Sequence, residues 1–269
     1  MKQEILKNNV KQYWNAASCG TEFINQKKFS LEYFEAIESF RYSIEPEIFS
    51  FAQFSRFHGK KILEVGVGAG TDFTQWVRSG CLAYGVDLTE EAIQNVTHRL
   101  QLYNLQAQDI RQADAENLPH QDNTFDLVYS WGVIHHSPDT ERCLQEIVRV
   151  AKPGGTIKIM IYNRRSLFAL YQYFIFGLFK GKPFQSLKTI LFNNQESPGT
   201  KAYTKKEALV LIEKHPVDLV DIRSSISSHD LLYYKKNRIL KLLAYTAACI
   251  FGWHRAGWFM TIELRKHGK

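Results

Sequence analysis

The chain has 269 residues, of which 45% are hydrophobic, and carries a net charge of +7. This length and apolar content exclude a disordered tail or a small disulfide-held module and fit one large domain with additions. Its four cysteines (Cys19, Cys81, Cys143, Cys249) are scattered and form no C-x-x-C. That excludes a zinc ribbon or a disulfide frame and suits reduced thiols in a cytoplasmic protein.

Residues 1–60 are read as mostly helical, with aromatics that include Tyr13, Trp14, Phe29 and Tyr33; residues 1–44 form a cap. The N-terminus lacks the apolar run of a signal peptide. From Lys61 strands and helices alternate. Strands are expected at 61–65, 82–86, 107–111, 125–130 and 156–161, with a helix over 71–78 between the first two. Thr89 can cap the next helix, with Glu90 and Glu91 in its first turn. Ser137 is the expected cap of a later helix, with Pro138 at its first position and Lys152-Pro153-Gly154-Gly155 as its stop.

The alternation then breaks. Residues 163–202 form an aromatic, basic insertion that serves as a lid. Thr204-Lys205-Lys206-Glu207 reads as a capping box. Strands at 217–225 and 258–264 would pair antiparallel across a helical insertion at about 228–255. The apolar stretches 167–179 and 239–251 fall short of the roughly 20 residues of a membrane span. They read as buried or lid helices, with peripheral membrane or hydrophobic-substrate contact as the other reading.

The chemistry gathers at Glu64-Val65-Gly66-Val67-Gly68-Ala69-Gly70, where an apolar strand runs into three alternate glycines. No Gly-Lys-Ser/Thr follows, so this is no P-loop. A dinucleotide fingerprint would need glycine at position 71, where the chain has Thr71. Glu64 inside the strand suits a cationic ligand. The second strand ends on Gly85-Val86-Asp87-Leu88, whose carboxylate can accept from a ribose diol.

Together with Ala113-Asp114-Ala115-Glu116, the run 125–136 that contains Trp131, His135 and His136, and the helix-and-turn stretch 144–155, these motifs resemble the class I S-adenosylmethionine-dependent methyltransferases. The likeness is to their small-molecule, methyltransferase-11-like group. It is close over residues 45–162 and loose over 203–265. It implies an α/β, Rossmann-like, seven-stranded, mostly parallel sheet with one antiparallel strand and helices on both faces. Residues 45–162 would be the cofactor-binding core and 203–269 its C-terminal part.

The resemblance implies that Gly66, Gly68 and Gly70 pass under the methionine part of S-adenosylmethionine, with Glu64 near its amino group. Asp87 would hold the ribose and Leu88 would lie on the adenine. Asp114 would accept from the adenine amine, Ala115 would offer its N–H, and Trp131 would lie along the cofactor. The product would be S-adenosylhomocysteine, and no metal is required.

For the acceptor, His135 or His136 can serve as a base just past the fourth strand. Tyr13, Trp14, Arg41, Tyr162 and Arg164 are candidate substrate contacts, and 196–203 is a candidate substrate loop. The expected reaction is methylation of a small molecule, first on oxygen, with nitrogen or carbon as alternatives and an aromatic, polyketide-like or lipidic acceptor. Nucleic acid is disfavoured because Tyr129-Ser130-Trp131-Gly132 stands where base-amino methylases carry an Asn/Asp-Pro-Pro-Tyr/Phe motif.

Overall fold

The computed structural model describes residues 2–233 and 237–268. Its strands are β1 (Lys61–Val65), β2 (Leu82–Asp87), β3 (Asp109–Gln112), β4 (Phe125–Trp131), β5 (Ala151–Asn163), β6 (Ala202–Tyr203), β7 (Val217–Ser225) and β8 (Phe259–Lys266). They form one sheet in the order β3-β2-β1-β4-β5-β8-β7, with β6 beside the end of β5. Strand β8 runs antiparallel to both β5 and β7, and the other pairings are parallel.

Strands β1 and β4 are apolar at nearly every position because both of their faces are covered. Successive residues point to opposite layers. Ile62 packs with Phe73, Trp76 and Val96 of helices α4 (Thr71–Arg78) and α5 (Glu90–Leu102). Leu63 packs with Leu144 and Ile147 of α6 (Thr140–Val150).

The cap consists of α1 (Lys2–Ala16), α2 (Leu31–Ile44) and α3 (Glu47–Ala52). Arg99, fully buried on α5, ties it down: the guanidinium donates to Glu38 of α2 and to Thr71 Oγ1 at the start of α4. The first insertion carries α7 (Leu167–Phe176) and α8 (Leu187–Asn194). Helix α9 (Lys205–Ile212) follows, opened by the expected capping box of Thr204 and Glu207. The second insertion carries α10 (Arg238–Phe251). Residues 234–236 of the expected 228–255 segment lie outside the described residues.

Three local expectations are corrected. The sheet has eight strands, because Ala202 and Tyr203 add a short parallel pairing to Tyr162 and Asn163. Helix α6 starts at Thr140, capped by Asp139 accepting from the Arg142 N–H at 2.9 Å. Ser137 does not cap it: its hydroxyl donates to Glu116 and its oxygen accepts from the Asp139 N–H at 3.2 Å, ahead of the helix. Lys152-Pro153-Gly154-Gly155 does not precede β5 but lies inside its irregular start, where the pairing jumps from Ala151 to Thr156.

Candidate functional site

Strand order reverses between β1 and β4, each pairing outward from there, so the loops at their carboxyl ends diverge and leave a crevice. A cleft of about 1160 Å³, counting its open mouth, lies there. Its floor is the glycine loop. Gly66 has φ 88°, and a Cβ there would sit 2.1 Å from Val133 Cγ2, so only glycine lets the exit of β4 close on the loop. Gly68 has φ 52° and its missing Cβ would meet nothing within 4 Å, which leaves backbone open to a ligand. Gly70 turns the chain into α4 without lining the cleft.

The acids are placed differently from one another. Asp87 ends β2 and accepts from the Gly68 N–H at 3.1 Å on one oxygen and from the Thr89 N–H and hydroxyl at 2.9 and 2.8 Å on the other. Burial pushes its carboxyl above the ordinary value, and these donors offset part of that rise. The oxygen that accepts only from Gly68 keeps a lone pair for a further donor.

Glu64 is 3% exposed, and its Oε2 has no hydrogen-bond partner among the described residues. Burial, then the like charge of Asp72, push its carboxyl well above the usual range, opposed by Arg41 and by the Trp76 side chain. A buried carboxylate without a partner is costly, so this oxygen is matched to a ligand donor, best a cation.

Asp114 lines the cleft and accepts from Lys7 Nζ of α1 at 2.6 Å. Lys7 also pairs with Glu116. Burial alone would lower the Lys7 ammonium; the hydrogen bonds and charges of the two acids outweigh it and hold it above its ordinary value. Helix α1 therefore lies over the cleft, with Lys7, Val10 and Trp14 facing in. Lys7→Ala is expected to loosen this cover. Partly exposed pairs of this kind contribute about 1 kcal/mol, so amides of α1 should exchange with solvent roughly five-fold faster while the sheet is unchanged. Unchanged α1 exchange by mass spectrometry would show that the pair does not hold the helix.

Of the expected cofactor contacts, Glu64, Gly66, Gly68, Asp87, Leu88, Asp114, Ala115 and Trp131 all line this cleft. Trp131 is fixed by its indole N–H donating to Glu45 Oε2 at 2.8 Å. Sequence reading missed Asp72, a buried hub on α4 that accepts from Arg41, Tyr42 and Tyr129. The Arg41 guanidinium lines the cleft but is shared between Asp72 at 3.1 Å and Glu45 at 3.6 Å.

On the acceptor side the two histidines are not equivalent. His135 is fully buried outside the cleft lining, 4.0 Å from the Tyr162 ring, and both ring nitrogens lack hydrogen-bond partners among the described residues. His136 lines the cleft, beside Trp14. His136 Nδ1 lies 2.9 Å from both the Ser197 and the Thr200 hydroxyl, and Thr200 Oγ1 also donates to the Ser197 carbonyl at 2.7 Å. A proton on Nδ1, shared with these hydroxyls, would leave the basic lone pair on Nε2. Nε2 lies 3.4 Å from Glu196 Oε2, and Glu196 also accepts from the Tyr162 hydroxyl at 2.9 Å.

Burial, helped by Lys201, pushes His136 down to about 3, and burial pushes Glu196 up to about 7. Glu196 has φ 51°, a left-handed conformation that a non-glycine side chain adopts at a cost, and such strain is held where surrounding contacts over-determine it. Tyr162 thus acts behind Glu196 and does not line the cleft. Tyr13 packs on the edge of Trp14 and is 43% exposed, also outside the lining. Arg164 is a correction: its guanidinium is spent on the Ala202 carbonyl at 2.9 Å and Glu207 at 2.6 Å, and it joins β5 to α9.

Comparison with known proteins fits this geometry. Residues 63–159 match a family model described as a methyltransferase domain. Norajmaline N-methyltransferase of Rauvolfia serpentina is 34% identical over 112 residues, 40% of this chain and 38% of that protein. Ubiquinone biosynthesis O-methyltransferase of Coxiella burnetii (strain Dugway 5J108-111) is 32% identical over 123 residues, 44% and 50% of the two chains. The matched stretch thus spans half or less of these relatives. Geranyl diphosphate C-methyltransferase from Streptomyces coelicolor A3(2), solved with Mg2+, geranyl diphosphate and S-adenosyl-L-homocysteine, has the same fold, with a TM-score of 0.66 at 12% identity over 97% of each chain. Over residues 63–159 the chain thus carries a match to a methyltransferase domain, and its fold is the one S-adenosylmethionine-dependent methyltransferases share.

Proposed function

We propose that this protein transfers the methyl group of S-adenosylmethionine to an oxygen of a small-molecule acceptor, with His136 as the base. The observation that carries the cofactor half is the unpartnered Glu64 oxygen in an acid-lined cleft. Glu64, Asp72, Asp87 and Asp114 line it against Lys7 and Arg41, although the whole chain is basic. Such a cleft repels a dinucleotide pyrophosphate and attracts a ligand with an ammonium and a sulfonium.

When bound, S-adenosylmethionine supplies an electrophilic methyl group with a neutral thioether as leaving group. Glu64 would take its ammonium, Asp87 its ribose, and Asp114 and Ala115 its adenine. The chain's own work is to hold the acceptor in line, for which positioning contributes roughly 7–11 kcal/mol, and to accept one proton. His136 Nε2 is unprotonated at neutral pH, but burial makes it a weak base, so the Glu196 carboxylate 3.4 Å away would have to hold the imidazolium that forms. Nitrogen is the second reading, because the similar stretch of the Rauvolfia relative belongs to an enzyme named for N-methylation. The apolar, aromatic insertions favour an aromatic, polyketide-like or lipidic acceptor.

Titration with S-adenosylmethionine tests the cofactor half. Burial raises the Glu64 carboxyl, so pairing with an ammonium should lower it and release protons to the buffer. Calorimetry in buffers of different ionisation enthalpy reads this directly. Glu64→Gln should abolish the release and weaken binding about ten-fold, the scale of one charged hydrogen bond.

The same substitution should raise the melting temperature of the ligand-free protein at pH 8. The sign follows from linkage: a carboxyl raised by folding contributes stability below its unfolded value, lost as pH rises through its folded value. Glutamine removes that loss. Proton release that persists in Glu64→Gln would refute the assignment. Mass analysis of product from a cell extract supplied with methyl-labelled S-adenosylmethionine would then identify the acceptor atom.

A further inference from the structure

The positive charge of this chain is not spread evenly. Residues 164–195 contain Arg164, Arg165, Lys180, Lys182 and Lys188 and no acid. Residues 231–262 contain Lys235, Lys236, Arg238, Lys241 and Arg255 and no acid. The remaining 24 Lys and Arg are outnumbered by 27 acids, so the two insertions account for the whole positive excess.

The same segments carry the largest exposed apolar side chains. Phe179 and Phe184 are 73% and 99% exposed, on the turn that joins α7 to α8. Ile239, Leu243 and Ile250 repeat at i, i+4 and i+11, one face of α10, and all three are exposed. Helix α8 packs on α7, and α10 packs on α7 as well, so the two insertions form one platform. Lys180, Lys182 and Arg238 are exposed beside these apolar groups.

We infer that this platform docks on an anionic lipid bilayer. Exposed aromatic and aliphatic groups enter the boundary between headgroups and acyl chains, while flanking lysines and arginines pair with lipid phosphates. Exposed large apolar groups gathered on one platform mark an interaction surface, and basic residues without acids beside them select an anionic partner. A second copy of the chain is disfavoured, because two such faces would bring Lys180, Lys182 and Arg238 against their like. Docking is peripheral. Helix α10 has 14 residues and is about 21 Å long, short of a bilayer core of about 30 Å. No helix among the described residues is long and apolar enough to cross a membrane. The first insertion ends at Glu196 and Thr200 on His136, so the segment that docks also closes the acceptor side.

Co-sedimentation with phosphatidylcholine vesicles, with and without about 30% phosphatidylglycerol, tests this. The full chain should partition at least ten-fold more strongly to the anionic vesicles, and the gain should vanish in about 0.5 M salt. Phe179→Ser/Phe184→Ser and Ile239→Ser/Ile250→Ser should each reduce partitioning about ten-fold. S-adenosylmethionine affinity, measured in parallel, should be unchanged, which separates loss of this surface from loss of the cofactor site. Failure of the full chain to bind anionic vesicles would overturn the inference. So would a dimer in analytical ultracentrifugation that these substitutions dissolve, since a second copy would then be the occupant.

Discussion

Asp87→Ala is expected to weaken S-adenosylmethionine binding about 100-fold and to lower thermal stability in the same protein. The carboxylate now accepts from the Gly68 N–H and from both donors of Thr89. Hydrogen bonds to a charged acceptor contribute about 1.5–3 kcal/mol each, so loss of the ribose contacts amounts to about 3 kcal/mol, or two orders of magnitude in affinity. The stability loss arises separately. Without the carboxylate, the Gly68 N–H loses its acceptor and the glycine loop loses its tie to β2. Asp87→Asn separates the two effects. It keeps an acceptor oxygen for the loop and should recover most of the stability, while affinity remains roughly ten-fold down because the charge is gone. Calorimetric titration and a thermal melt read both quantities. Wild-type affinity in a folded Asp87→Ala protein would remove Asp87 from the ribose contact.

That contact could be read in the sequence because its parts lie close along the chain. Glu64, the three glycines and Asp87 span 24 residues, and their spacing on two adjacent parallel strands determines where they meet. What escaped reading depends on distant partners. Asp72 gains its meaning from Arg41, Tyr42 and Tyr129, which come from two other elements. Lys7 meets Asp114 across 107 positions, and no local pattern marks it.

Competition explains the misplaced residues. Ser137 and Asp139 are both good caps; Glu116 accepts from the Ser137 hydroxyl and the Asp139 N–H and so holds this stretch as a turn, and the helix starts at Thr140 under Asp139. Arg164 has the chemistry to hold an acidic substrate, but Glu207, brought beside it by the capping box of α9, takes it first. The acceptor side was legible only as far as its two histidines. Their inequivalence rests on Ser197, Thr200 and Glu196, which arrive from an insertion with no periodic signal of its own.

His136→Gln is expected to cut turnover by about 10²- to 10⁴-fold, the range for loss of a positioned base, while S-adenosylmethionine affinity changes less than about two-fold. Glutamine can keep the contacts to Ser197 and Thr200, so the fold of the 196–200 turn should survive. It cannot take a proton. The pH profile distinguishes this role from simple packing. Glu196 is raised to about 7 and lies 3.4 Å from Nε2, and below that pH its carboxyl is neutral. Above it, the carboxylate stabilises the imidazolium that forms as the acceptor hydroxyl is deprotonated. The rate on a hydroxyl acceptor should therefore rise with pH through about 7, and Glu196→Gln should flatten that rise without moving cofactor affinity. Burial alone would raise a structural carboxyl equally, but a structural carboxyl would leave the rate profile untouched. Full turnover in His136→Gln would mean that the nucleophile arrives without a proton to lose, as a free amine does, and the nitrogen reading would then replace the oxygen one.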